Sequence, residues 1–291
     1  MSIKVSIGMP VYNGERWIEK AIMSFTNQTF HDFELIIANN NSTDRTHEIC
    51  EYFKKKDTRI RYYRNSHNIG IANNYNKVFE VSNGEYFKWT SVSDLCDPTF
   101  LEKCIKVLEE HSEVVLCYPR TLLVLEEGKM IPYEDNLNLQ DEDPCIRYIK
   151  FIERIKLNNV MNGLIRSDCL KKTQLNKDYI SEDINFTAEL TLYGKFYELP
   201  EYLFYRNHTK GTTSALKSKE DIIKNFNRNK ESEMFLQEWK YQLAFYTGVY
   251  RSPLTAYQKS KLFLYLLKRT RYSRVELFKD LIYYMNSVIR K

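Results

Sequence analysis

From residue 5 to residue 118, short apolar runs alternate with segments of helical period, and that alternation restricts the chain to a few α/β architectures. Residues 5–9 form an apolar run closed by Pro10, after which Trp17, Ile18, Ala21, Ile22 and Phe25 recur at helical spacing. The pattern repeats with a strand at 33–38, the capping residues Ser42, Thr43 and Asp44, and a helix carrying Ile49, Tyr52 and Phe53. Strands at 59–63, 85–90 and 114–118 and helices at 71–81 and 100–110 complete it. Such a series implies a mostly parallel sheet with helices on both faces, whose ligands bind at the carboxyl edge. The loops that begin at Pro10, Asn39 and Ser91 each follow a strand, so they are expected to converge there.

The second half is less regular. Helices are expected around 146–155 and after Asp183, and strands at 196–199 and 203–205. Beyond Ser214, Gly248 and Pro253 are the only punctuation in a run of helical periodicity. The division that follows is a strand-and-helix first half (1–118), a less regular second half (119–215) and a helical appendage (216–291).

Charge separates these parts. The net charge is +5, yet residues 216–291 hold 16 Lys/Arg against 7 Asp/Glu. Leu262, Phe263, Leu266 and Leu267 form one apolar stripe, and Val275, Phe278, Leu281, Ile282, Met285, Val288 and Ile289 form another, beside Lys259, Lys261, Lys268, Arg269 and Arg271. Basic amphipathic helices of this kind pack on their own domain, pair with a second subunit or lie on anionic lipid. No nucleic-acid module accompanies the basic residues, so no nucleic-acid partner is expected.

The six cysteines are scattered, without the paired spacing of a zinc site, which fits a reducing compartment. The chain enters its first strand with no leader-like segment, and no run approaches the roughly 18 apolar residues of a membrane span. A cytoplasmic protein is expected, with any membrane contact peripheral at the inner face.

Four elements occur in register: Met9-Pro10-Val11-Tyr12-Asn13-Gly14, Asn27-Gln28-Thr29, the strand at 33–37, and Asn40-Asn41-Ser42-Thr43-Asp44. His67-Asn68-Ile69-Gly70 and Gly84-Glu85-Tyr86-Phe87 follow. Together they resemble the family 2 glycosyltransferases, over roughly residues 3–214. The resemblance implies a GT-A fold and an inverting transfer of a sugar from a nucleotide-diphosphate donor, a UDP-sugar by preference, to a hydroxyl of a glycan or lipid-linked acceptor. It assigns donor contacts to Pro10, Tyr12, Asn13, Asn39, Asn68, Ser93, Asp94, Arg206 and His208. Asn39 stands where the family often has an Asp that pairs with the uracil ring, and an amide oxygen can still accept that bond.

The main departure is Ser91-Val92-Ser93-Asp94, where the family carries a D-x-D motif. Mg²⁺ or Mn²⁺ prefers anionic oxygen, so two serines imply a weakened metal site held by Asp94 and His208. Alternatively, Asp94 only caps the helix after Pro98. Ser181-Glu182-Asp183 resembles the family's E-D motif, making Asp183 the candidate general base, with Glu182 the lesser one. Tyr205-Arg206-Asn207-His208, ahead of Thr212-Thr213-Ser214, resembles its Y-R-x-H segment, in which Arg206 or His208 contacts the diphosphate oxygens. The segment at 158–163 and Arg166 also match the family but receive no chemistry. A non-catalytic nucleotide-sugar or glycan-binding protein on the same scaffold is the competing reading. A dehydrogenase is disfavoured, because no G-x-G-x-x-G follows the first strand.

Overall fold

Every residue of the first two strands, β1 (Val5–Val11) and β2 (Phe33–Asn39), is buried, as parallel strands covered on both faces require. They pair in parallel, and β1 also pairs in parallel with β4 (Tyr86–Trp89), while β2 pairs with β3 (Ile60–Arg64). Helices α1 (Ile18–Thr26), α2 (Thr46–Lys56), α3 (Ile71–Glu80) and α4 (Phe100–Glu110) connect this half. Each presents one apolar stripe to the sheet; that of α1 is Ile18, Ala21, Ile22 and Phe25. These features come from a computed structural model, which describes residues 3–212 and 235–289.

The remaining strands are β5 (Leu95–Cys96), β6 (Val114–Val124), β7 (Met130–Tyr133), β8 (Leu164–Arg166) and β9 (Lys195–Asn207). Among the described residues they complete a nine-stranded sheet of order β3-β2-β1-β4-β8-β6-β9-β5, with β7 alongside β6. Antiparallel β8 lies between β4 and β6, and β6 then runs parallel to β9. The two strands expected at 196–199 and 203–205 are therefore one strand. Its register slips where Leu199 faces Pro119 and Tyr202 faces Arg120, because Pro200 and Glu201 form a bulge.

The ends of β1 to β4 opposite the loops are tied by a buried polar knot. Glu34, 2% exposed, accepts from Ser6 Oγ at 2.6 Å and pairs with Arg61, and Ser6 Oγ accepts from Gly84 N at 2.8 Å. A Cβ at Gly84 would lie 2.4 Å from the Ser6 backbone nitrogen. Gly84→Ala is therefore expected to cost about 1–3 kcal/mol, measured by urea unfolding, because backbone rather than a flexible side chain must move. Wild-type stability in that variant would mean the β1–β4 contact is looser than described.

In the second half, α5 (Pro144–Arg154) and α7 (Glu182–Leu190) cover the sheet, with the short α6 (Ser167–Leu170) between them in sequence. After residue 234 come α8 (Gln237–Arg251), α9 (Ala256–Tyr272) and α10 (Arg274–Ile289). Phe245 and Val249 of α8 and Leu262 and Leu266 of α9 belong to the same buried cluster as Tyr148, Phe186 and Leu190. α9 starts with a reciprocal capping box between Thr255 and Gln258, and Asp280 of α10 accepts from Glu238 N at the start of α8. The appendage is thus packed onto the second half along α8 and the inner side of α9. The apolar stripe of α10 is different: Val275, Phe278, Ile282 and Met285 are exposed. The side chains of Val288 and Ile289, together with Thr213, Ser214 and residues 216–234, lie outside the described residues.

Candidate active site

The loops after β1, β2 and β4 emerge from neighbouring parallel strands, so they meet at one edge. Asn13 and Asn41 both adopt left-handed backbone, a conformation Asn tolerates. They hold two turns that clasp each other: Asn13 N donates to Ser42 Oγ at 2.9 Å, and Thr43 N donates to Asn13 Oδ1 at 2.9 Å. Tyr12 stands outside this clasp, 38% exposed. Asn39 is fully buried, its Oδ1 accepting from Ser42 N at 2.7 Å and its Nδ2 donating to the Tyr62 hydroxyl at 2.9 Å. Asn68 accepts from Asn40 Nδ2 at 2.8 Å and from Gly70 N at 2.9 Å, which ties the 65–70 turn to the end of β2. Pro10 is a buried β1 residue opposite Ala38. Sequence reasoning thus found the turn residues, while the structure engages most of them in shaping the rim.

The Ser91–Asp94 turn lies beside this clasp, since a Cβ at Gly14 would come within 3.4 Å of Val92. Ser91 and Ser93 pair through their hydroxyls at 3.0 Å, and Asp94 Oδ1 accepts from Asn207 N at 3.0 Å. Burial pushes the Asp94 carboxyl up, against the pull of the nearby Arg206 charge. The capping alternative for Asp94 does not hold. Thr99 is the N-cap residue of α4 and makes no side-chain cap bond, and in the turn before the helix Asp97 Oδ1 accepts from Thr99 N at 2.9 Å and Thr99 Oγ1 at 2.7 Å.

Asp183 is the second residue of α7 and only half-buried, whereas Glu182 beside it is 5% exposed with an Oε2 that has no hydrogen-bond partner. Burial and the Asp183 charge push Glu182 well above the usual carboxylate range. Burial also raises Asp183, opposed by a 3.0 Å bond from Asn158 Nδ2 and by the Arg206 charge. Of the two, Asp183 has the access a base needs.

Arg206 on β9 gathers the cluster. Its guanidinium acts on Asp94, Asp183 and Asp135, and it donates to Asn159 Oδ1. Asn159 Nδ2 in turn donates to Asp135 Oδ1 at 2.9 Å. Burial pushes Asp135 up to about 7. Tyr75 of α3 is raised by burial and by Asp94, Glu182 and Asp183, so it too sits among these acids. The sequence alone assigns no chemistry to Asn158, Asn159, Asp135 or Tyr75. The N-x-x-x-N-G-L pattern at 158–164 was a visible signal for the first two; nothing local marks Asp135. His208 is half-buried with an Nδ1 that has no hydrogen-bond partner.

Asp94 brings one carboxylate to any cation, and its Oδ1 is already engaged by Asn207. Among the described residues no group of three or more His, Cys, Asp or Glu could hold a metal ion. The residues present therefore fit a cation only in combination with phosphate oxygens of a ligand, as Mg²⁺ sites commonly are.

The family model for glycosyl transferase family 2 matches residues 6–162. An uncharacterized glycosyltransferase of Haemophilus influenzae is 30% identical over 72% of this chain and 68% of its own length. A GalNAc(5)-diNAcBac-PP-undecaprenol beta-1,3-glucosyltransferase of Campylobacter jejuni is 23% identical over 70% of this chain and 64% of its own. In fold the chain is similar to S. aureus TarS residues 1–349, in complex with UDP-GlcNAc, at a TM-score of 0.67 and 18% identity, covering 91% of this chain and 72% of that one. It is also similar to the mannosyltransferase PcManGT from Pyrobaculum calidifontis, in complex with GDP-Man and Mn²⁺, at 0.54 and 11% identity, covering 100% and 87%. Matched over more than half its length by the family model, and built on the GT-A sheet those structures share, this chain belongs to glycosyl transferase family 2 and is a glycosyltransferase.

Proposed function

We propose that the enzyme transfers a sugar from a nucleotide-diphosphate sugar, a UDP-sugar by preference, to a hydroxyl of a glycan or lipid-linked acceptor with inversion. The observation that carries this reading is the cation Arg206, which acts on Asp94, Asp183 and Asp135 beside the loops that end β1, β2 and β4. A diphosphate needs that cation, and an attacking hydroxyl needs a carboxylate on the far side of the anomeric carbon. Tyr12 offers the exposed ring for the base, and Asn39 shapes the turn beneath it. The TarS complexes with UDP and UDP-GlcNAc and the acceptor in the Campylobacter enzyme's name support the donor and lipid-linked acceptor classes.

In the transfer the acceptor oxygen attacks the anomeric carbon from the face opposite the diphosphate, and its proton passes to Asp183. The bond from the anomeric carbon to the diphosphate oxygen breaks. The nucleoside diphosphate leaves with both electrons, its charge balanced by Arg206. Asn158 holds the Asp183 carboxylate oriented, and the Asn159–Asp135 pair holds Arg206. Asp94 and the Nδ1 of His208 are the donors that would hold a Mg²⁺ or Mn²⁺ together with the diphosphate oxygens. When bound, such an ion supplies charge neutralisation on the leaving group.

Calorimetric titration with UDP and GDP, with and without Mn²⁺, tests the reading. UDP should bind, and Mn²⁺ should strengthen binding by less than about tenfold, since one carboxylate anchors the cation weakly. No nucleotide binding would remove the donor site, and an absolute metal requirement would contradict the weak cation site.

A further inference from the structure

We infer that the outer face of α9 and α10 docks the enzyme on an anionic lipid surface. The proposal stands apart from the cleft and its chemistry. At the corner where α9 ends and α10 begins, Lys268, Arg271, Tyr272, Arg274 and Val275 line an open cleft of about 480 Å³. Three cations thus converge on one hollow, with a tyrosine 88% exposed beside them. The apolar residues on the same sides of the two helices are Leu264 and Leu267 on α9 and Val275, Phe278 and Ile282 on α10. All are exposed, at 61%, 59%, 51%, 62% and 42%. Helical spacing sets them opposite the buried Leu262, Leu266 and Leu277, so they project away from the packed positions of the two helices.

Charge decides what covers this face. Residues 254–291 hold nine Lys/Arg and two Asp/Glu. One of those acids, Asp280, is committed to the start of α8. Lys268, Arg271, Arg274 and Lys279 have no acidic partner among the described residues. A second copy seated on this patch by two-fold symmetry would press these cations against themselves, an arrangement interfaces avoid. An anionic bilayer meets both halves of the surface: phosphates accept the cations, and the acyl boundary takes Leu264, Leu267, Phe278 and Ile282. No helix of the described residues is long and apolar enough to cross a membrane, so the attachment is interfacial.

The test is co-sedimentation of the full chain with phosphatidylcholine vesicles, with and without phosphatidylglycerol. Binding should require phosphatidylglycerol and fall steeply as NaCl rises from about 50 mM to about 0.5 M, where charges are screened beyond roughly 3–5 Å. Lys268→Glu/Arg271→Glu/Arg274→Glu should weaken it by at least about a hundredfold, near fivefold for each cation removed. Phe278→Ser/Ile282→Ser should weaken binding while leaving its salt dependence in place. These positions are exposed, so the variants should keep the wild-type circular dichroism and melting temperature. Equal binding by wild type and the charge-reversal variant would overturn the proposal. So would a dimer in sedimentation velocity that the Phe278→Ser/Ile282→Ser variant abolishes, with no vesicle binding by wild type.

Discussion

Asp183→Asn is expected to lower sugar transfer by about 10²- to 10⁴-fold, the span that general-base catalysis covers, with donor affinity within about twofold of wild type. The amide keeps the volume of the carboxylate and can still accept the bond from Asn158, but it cannot take a proton. Because burial raises the Asp183 carboxyl, the wild-type rate should follow. The base works only when deprotonated, so activity should be absent at low pH and appear as pH rises through the raised value, above the range of an exposed carboxylate. Glu182→Gln is the matched control. With Glu182 buried and without a hydrogen-bond partner on Oε2, its amide variant should change transfer far less. Transfer rates for the two variants across pH, with donor affinity measured alongside, separate the roles; equal losses would mean the two carboxylates act as one unit.

Arg206→Ala should cost about 10²- to 10³-fold in transfer, the usual loss when one group that stabilises a developing anion is removed. Donor affinity should fall as well, since the diphosphate is charged before and after reaction. Removal also leaves Asp94, Asp183 and Asp135 without their common cation. The base is then harder to ionise, and the acid limb of the rate profile should move to higher pH. Arg206→Lys discriminates between charge and geometry: it restores the cation but loses the planar fork that meets Asn159 and a diphosphate together. Near-complete rescue by Lys would show that charge alone is needed, and wild-type transfer in the Ala variant would remove Arg206 from the site.

The parts of this molecule that could be read from its sequence are those fixed by local pattern. β1 and β2 are uninterrupted apolar runs because both faces are covered, and α4 follows its periodicity across residues 100–110. β5 is two residues and β8 three, too short to carry any period, and β7 is exposed and contains Pro132. Those strands exist because β9, β4 and β6 offer them edges, which only the assembled sheet provides. The cluster around Arg206 has the same origin. Asp94, Asp135, Asp183 and Arg206 come from four separate segments, and their mutual charge is set by how β9 runs past the turns beside it. Motif resemblance brought in three of the four, while Asp135, in a polar loop after β7, carries no local mark. Conversely, the Asn-rich turns were legible, but their side chains are largely spent on one another.

In the proposed mechanism one cleft binds the donor and one carboxylate accepts the proton. Single-turnover reaction of a radiolabelled UDP-sugar with excess enzyme and a mixture of hydroxyl acceptors addresses both at once, comparing wild type with Asp183→Asn. The account predicts that both proteins capture the donor to the same extent and that only wild type releases UDP and transfers the sugar, with the product of opposite anomeric configuration. Transfer by Asp183→Asn at the wild-type rate, or a retained configuration in the wild-type product, would contradict it.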